Sequence, residues 1–210
     1  MTRVAVLISG RGSNLGALLE AEQGGAPYEI ACVLSNRPEA AGLARAREAG
    51  KEALSLDHRV FGQDRQAFEE ALDGLLRQRE IELIALAGFM RVLTPWFVAR
   101  WAGRLINIHP SLLPLFPGLD THARALAAGV KLHGCSVHYV TPEVDAGPII
   151  AQAAVPVLPE DTPESLAARV LRAEHVLYPN ALALVAQGTG AEVRGFGPPP
   201  NQPLIVSGWL

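Results

Sequence analysis

The run Arg3-Val-Ala-Val-Leu-Ile8 constrains this chain most. It is apolar at every position from Val4 to Ile8, yet only strand-length. Successive strand side chains point to opposite faces, so such a run needs cover on both sides, the condition of a central strand in a parallel sheet. A polar, glycine-containing turn follows, Ser9-Gly-Arg-Gly-Ser-Asn14, and then Leu15, Leu18 and Leu19 at helical spacing. The same strand-to-helix alternation recurs downstream. It predicts an α/β fold, Rossmann-like, with an open, mixed but mostly parallel sheet and helices on both faces.

Ile30–Leu34 reads as the second strand, Ala40–Ala49 as an alanine-rich helix closed by Gly50, and Glu52–Leu56 as a short third strand. Phe68, Leu72, Leu75 and Leu76 stripe a helix over Asp64–Arg79, with Asp64 as its cap. Leu83–Ala87 is the fourth strand, Thr94-Pro95 opens another helix, and Arg104-Leu-Ile leads into a fifth strand that runs out at Pro110. Thr121–Ala128 reads as a short helix. Alternation over His133–Val140, a turn, and Pro148–Val157 then predict an antiparallel pair, which makes the sheet mixed. Thr162–Leu184 is a long amphipathic helix capped by Thr162, its end broken by Pro179. The Pro- and Gly-rich stretch Gly195–Pro203 reads as irregular. No repeat, low-complexity segment or linker divides the 210 residues, so one domain spanning 1–210 is expected.

An apolar content of 49% is ample for a core. The longest apolar stretch, Ile81–Leu93, is broken by Glu82, Gly88 and Arg91, so no membrane span is expected, and no leader precedes the first strand. With a net charge of −3 and scattered basic residues, the chain lacks the basic field that nucleic-acid backbones require. Cys32 and Cys135 lie in strand-like apolar surroundings, as buried thiols of a reducing cytoplasm do. Neither CxxC nor a zinc spacing occurs, and His133 and His138, five apart, face opposite sides of a strand. No metal is expected.

In an open α/β sheet, ligands bind beyond the carboxyl ends of strands. Three such ends carry chemistry. In Asn107-Ile-His-Pro-Ser-Leu-Leu-Pro114, Asn107 and His109 share a face and Ile106 and Ile108 take the other. A polar strand end whose histidine bonds its own loop fits the stretch equally well. The turn Gly10–Asn14 before a helix N-terminus can cradle a phosphate monoester; it is neither a dinucleotide fingerprint, since position 15 is Leu15, nor a P-loop, which needs a lysine. An ordinary βα turn capped by Ser13 or Asn14 is the other reading. Gly88-Phe-Met-Arg91 ends the fourth strand, with Phe89 and Met90 each more simply read as core. Arg65 opposes a helix dipole unless an anion is near, although a solvated surface arginine is the simpler reading. Glu174 and His175 lie on the long helix where solvent exposure is the default.

Together these pieces resemble one family. The cradle Ile8–Asn14, the loop Ala87–Arg91, the run Asn107–Pro114 and the segment His133–Gly147 stand in the order of the folate-dependent formyltransferases. Phe116-Pro-Gly118 and the extent of the match, Val4 to about Pro179, make the chain most similar to the glycinamide ribonucleotide branch rather than the methionyl-tRNA or hydrolase branches. The resemblance implies the formyltransferase fold and formyl transfer from 10-formyltetrahydrofolate to glycinamide ribonucleotide, with no metal and no covalent enzyme intermediate. It implies that Gly12, Ser13 and Asn14 hold the ribonucleotide phosphate and Glu174 its ribose. Folate lies against Met90, Arg91, Val92 and Leu93, and reaches Asn107; Arg65 and Arg91 stand near its glutamate tail. Asn107, His109 and Asp145 form the catalytic trio, in which Asp145 orients the imidazole. Small molecules are then the partners, without nucleic acid or membrane; a homodimer is compatible with the family.

Three positions depart from the family pattern: Arg11 where asparagine is common, Asp120 where a histidine often follows Gly-Leu, and Cys135 where threonine or alanine is usual. Arg11 would strengthen phosphate binding, and Asp120 puts local substrate contacts in question. Two rival readings remain open at this stage. One is formyl transfer or hydrolysis from the same donor with another acceptor, such as an amino-sugar nucleotide. The other is a nucleotide-binding module that has lost catalysis, against which the intact trio stands.

Overall fold

A computed structural model describes residues 1–188. Seven strands form one sheet in the order β3-β2-β1-β4-β5-β6-β7. They are β1 (Thr2–Ile8), β2 (Tyr28–Ser35), β3 (Glu52–Ser55), β4 (Leu83–Leu86), β5 (Leu105–His109), β6 (Leu132–Tyr139) and β7 (Ile149–Pro156). The first five pair in parallel, whereas β6 runs antiparallel to both β5 and β7. The helices are α1 (Ser13–Gln23), α2 (Ala41–Glu48), α3 (Arg65–Gln78), α4 (Pro95–Arg100), α5 (Thr121–Ala127) and α6 (Pro163–Ala186). The expected mixed, mostly parallel α/β sheet is what forms.

β1 divides the core as its composition requires. Val4, Val6 and Ile8 join Leu15, Leu18, Leu43, Val170 and Leu182 in one apolar layer beneath α1, α2 and α6. Ala5 and Leu7 enter a second layer with Phe68, Leu72, Phe97 and Trp101, beneath α3 and α4. Between β1 and β4 the strand order reverses, β2 and β3 lying to one side and β5 to the other. The loops after β1 and β4 therefore part at their carboxyl ends and leave the crevice where open α/β sheets take ligands.

Local signals set most element ends. Asp64 accepts the Ala67 N–H (2.9 Å) at the start of α3, and Thr162 and Ser165 form a reciprocal cap on α6. Two expectations fail. Ser13 and Asn14 are not the cap of α1; Gly12 is, at φ 69° and ψ 42°, and no side chain caps this helix. Pro179 does not break α6, which continues to Ala186. An interior proline costs about 3 kcal/mol, but Leu177, Tyr178, Ala181 and Leu182 around it are all buried, and the Tyr178 hydroxyl donates to the Leu86 carbonyl (2.9 Å). Packing onto the sheet outweighs the lost backbone bond. The stretch Gly195–Pro203 lies outside the described residues.

The β6–β7 hairpin depends on close backbone approach. A Cβ at Gly134 would fall on the Ala153 carbonyl oxygen of β7, and backbone cannot yield as a side chain can. Gly134→Ala is expected to cost about 1–3 kcal/mol of stability, checked by urea unfolding; an unchanged midpoint would contradict this packing.

Candidate active site

The antiparallel pairing builds the centre of the site. Its register sets Asn107 opposite His138 and His109 opposite Ser136. Ile106 and Ile108 enter the α6-side core, so Asn107 and His109 share the other face, as the alternation predicts. After Tyr139 the chain loops through Asp145 before β7. Asp145 adopts φ 54°, a left-handed conformation that a non-glycine residue holds only when its surroundings impose it. Phe116 and Asp120 in the facing loop share that conformation (φ 54° and 56°), which concentrates backbone strain around one spot.

There the side chains converge. His109 Nδ1 lies 3.3 Å from Asp145 Oδ2, and its Nε2 faces the Phe116 carbonyl at 3.1 Å. The Gly118 N–H donates to Asp145 Oδ2 (2.8 Å). Asn107 does not touch either of the other two among the contacts described; His138 joins them, its Nε2 standing 3.2 Å from Asn107 Nδ2 and 3.6 Å from Asp145 Oδ1. His138 also donates from Nδ1 to the Tyr139 carbonyl (2.9 Å). Neutral, it can accept an Asn107 N–H; protonated, it can donate to Asp145. Burial opposes ionisation of the Asp145 carboxyl. Hydrogen bonds from His138 and the Gly118 N–H, with the charges of His109 and His138, outweigh burial and hold Asp145 below the ordinary carboxylate range.

The proline-rich loop is tied down by buried hydroxyls. Ser111 donates to the Leu115 carbonyl (2.6 Å), and Ser136 donates to the Ser111 carbonyl (2.7 Å) while accepting from the Leu113 N–H (3.0 Å) and Gln152 Nε2 (2.8 Å). The Leu113–Pro114 peptide is cis. His138, Ser136 and Gln152 were missed in the sequence; only their cross-strand register with β5 marks the first two, and no local pattern reveals it.

At the end of β1, Gly12 is required twice: for its left-handed backbone, and because a Cβ there would stand 3.0 Å from the Gly42 Cα. With no side-chain cap and no acidic residue in its first turn, α1 presents uncapped N–H groups and the positive end of its dipole. Arg11 is exposed beside them. Asn14 is buried and donates to Glu174 Oε2 (2.7 Å), which overturns the exposure expected of Glu174: it is only 6% accessible. Burial raises the Glu174 carboxyl pKa, with the Asn14 hydrogen bond opposing it. Asn14 Oδ1 is buried without a protein partner, so the pair keeps an acceptor to offer.

At the end of β4, Phe89 is core, as read, but Met90 is not: its side chain is 68% exposed. Val92 is exposed as well, whereas Leu93 is buried. Arg65 is not merely solvated, because its guanidinium donates to the Val92 carbonyl. Arg91 lies over the Phe68 ring (4.8 Å), and burial together with the Arg65 charge lowers its pKa. Two cations so placed present a site for an anion. No group of three or more His, Cys, Asp or Glu among the described residues could hold a metal ion.

The chain matches the formyl transferase family over residues 2–182. A phosphoribosylglycinamide formyltransferase of Escherichia coli (strain K12) is 45% identical over 186 residues, covering 88% of this chain and 87% of that protein. The trifunctional purine biosynthetic protein adenosine-3 of Drosophila melanogaster is 50% identical over 190 residues; these are 89% of this chain but 14% of that protein, so the chain spans about one seventh of such a relative. The crystal structure of a Brucella melitensis phosphoribosylglycinamide formyltransferase superposes with a TM-score of 0.84 at 54% identity, covering 88% of this chain and 95% of the other.

The raised pKa of Glu174 has a sign that can be tested. A carboxyl that binds its proton more tightly when folded contributes stability below the unfolded pKa of 4.5 and loses it as pH rises through the folded value. Glu174→Gln keeps the shape and removes the buried charge. Its Tm is expected to exceed the wild-type value at neutral pH, with the gap closing near pH 4; thermal melts across pH check this.

Proposed function

Since the chain belongs to the formyl transferase family, we propose that it carries the formyl group of 10-formyltetrahydrofolate to the primary amine of glycinamide ribonucleotide, a step of de novo purine biosynthesis. The observation that carries this reading is the His109–Asp145 contact at 3.3 Å, with Asn107 beside it through His138. An imidazole, a carboxylate and an amide from two chain segments meet there, beyond the carboxyl end of β5, where open α/β sheets take ligands.

The residues divide the work. Gly12, Ser13 and Asn14 hold the ribonucleotide phosphate at the uncapped end of α1, and the Asn14–Glu174 pair, with its unpaired acceptor, takes the ribose hydroxyls. Met90 to Leu93 flank the pterin, and Arg65 and Arg91 attract the glutamate carboxylates. The amine attacks the formyl carbon and gives a tetrahedral intermediate with an oxyanion. Asn107 Nδ2 has a second N–H to direct at that oxygen, and His109 offers Nε2–H once the formyl oxygen takes the place of the Phe116 carbonyl. One such donor is worth about 2.7–4 kcal/mol of barrier. Asp145 holds the imidazole from its other nitrogen and balances its charge. The amine proton passes to the departing folate nitrogen, by side chain or ordered water, as the C–N bond breaks, releasing tetrahydrofolate and the formylated ribonucleotide. The nucleophile is the substrate's own amine, so Cys32 and Cys135 take no part; burial pushes their thiols up to about 11 and about 12. Such buried thiols suit a cytoplasmic enzyme.

Formation of tetrahydrofolate with glycinamide ribonucleotide as acceptor, and its absence with an amino-sugar nucleotide, tests the assignment. Asn107→Ala, His109→Ala and Asp145→Ala are each expected to lower kcat about 100- to 1,000-fold with little change in Tm; near wild-type turnover by the His109 variant would refute the roles. Arg11→Ala is expected to raise KM for the ribonucleotide and leave that for folate nearly constant, and an equal rise in both would count against the cradle.

A further inference from the structure

One buried hydroxyl joins the two halves of the crevice, and the chemistry above makes no use of it. Ser9 is the first residue after β1, at the head of the cradle turn, and is 5% accessible. Its N–H donates to the Gly88 carbonyl (3.1 Å), and its Oγ accepts the Met90 N–H (2.7 Å). The hydroxyl hydrogen goes to Asn36 Oδ1 (2.6 Å). Asn36, at the end of β2 and 1% accessible, is held in turn by the 3-10 turn His58–Phe61: His58 Nδ1 lies 2.8 Å from its carbonyl and 3.2 Å from its Nδ2. The far side of the cradle is pinned separately, by the Gly42 N–H to the Gly10 carbonyl (3.0 Å).

We propose that Ser9 is a positioning residue that locks the Gly88–Leu93 loop to the ribonucleotide cradle, with Asn36 setting the direction of its hydroxyl. This rests on the formyl-transfer reading above. The geometry leaves Ser9 little freedom. With its hydrogen given to Asn36, the Oγ lone pairs are what Met90 meets, so the Met90 N–H is turned inward and the peptide before it has one orientation. That orientation sends Phe89 into the core and Met90 outward, and thereby sets the outer edge of the loop against which the pterin lies. Ser9→Ala retains the backbone bond to Gly88 but leaves the part-buried Met90 N–H and the buried Asn36 Oδ1 unpaired. Such groups are expensive away from water. The cradle keeps a separate anchor at Gly42, so the strain falls on the loop around the exposed Met90.

The experiment measures KM for each substrate in wild type, Ser9→Ala and Asn36→Ala, together with hydrogen–deuterium exchange of residues 88–93 without substrate. Ser9→Ala is expected to raise the folate KM about tenfold, leave the ribonucleotide KM within about twofold, and speed exchange at Met90. Asn36→Ala is expected to move the same quantities in the same direction by less. An unchanged folate KM, an equal rise in both KM values, or unaltered exchange would overturn the proposal. Should the wild type transfer no formyl group, the reaction assignment fails on that control, and exchange alone judges the lock: faster exchange in Ser9→Ala upholds it, identical exchange removes it.

Discussion

The antiparallel pairing of β5 with β6 is the constraint on which the site depends. Residue by residue it lays Asn107 against His138 and His109 against Ser136, and the loop that follows β6 brings Asp145 onto His109. Strand side chains alternate, so a slip of one residue would turn Asn107 and His109 into the core and bring Ile106 and Ile108 into the crevice. The irregularity between Val137 and His138 in the β6–β7 pairing falls beside these residues, as bulges do where a strand must re-aim a side chain. Burial of Ile106 and Ile108 makes the register costly to change, and so the apolar core, without touching substrate, holds the polar trio in place.

The parallel half of the sheet contributes something different. By reversing order between β1 and β4 it opens a crevice and lines the crevice with backbone: the uncapped turn of α1 on one side, the Gly88–Leu93 loop on the other. Both are inherently poor in side-chain anchors. Buried polar groups replace them, with Ser9 and Asn36 between the loops, Ser111 and Ser136 under the proline-rich segment (helped by the more exposed Gln152), and Asn14 with Glu174 at the cradle. The last pair keeps a carboxylate where burial disfavours charge. Keeping a carboxylate there costs stability.

Some of the site was legible because its signals are local. Asn107 and His109 share a strand and a face, Gly10–Ser13 announces a tight turn before a helix, and Thr94-Pro95 announces a helix start. Other parts were misread for want of partners. Glu174 on an amphipathic helix looks solvent-facing until Asn14, 160 residues earlier, is seen to meet it. Met90 looks like core until Ser9 turns its backbone. Pro179 looks like a stop until the burial of its neighbours is weighed against one missing hydrogen bond.

The amino-acid sequence by itself determined the class of fold, the order of its elements and the two-sided burial of β1, since each follows from residue type and short spacing; the trio of Asn107, His109 and Asp145 was named only through the resemblance of four ordered motifs to one family. Only the tertiary structure decided that His138 links Asn107 to Asp145, that Glu174 is buried and that Ser9 joins two loops. Those are contacts between segments far apart in the chain, and their energies come from burial and register, quantities that do not exist until the sheet has assembled.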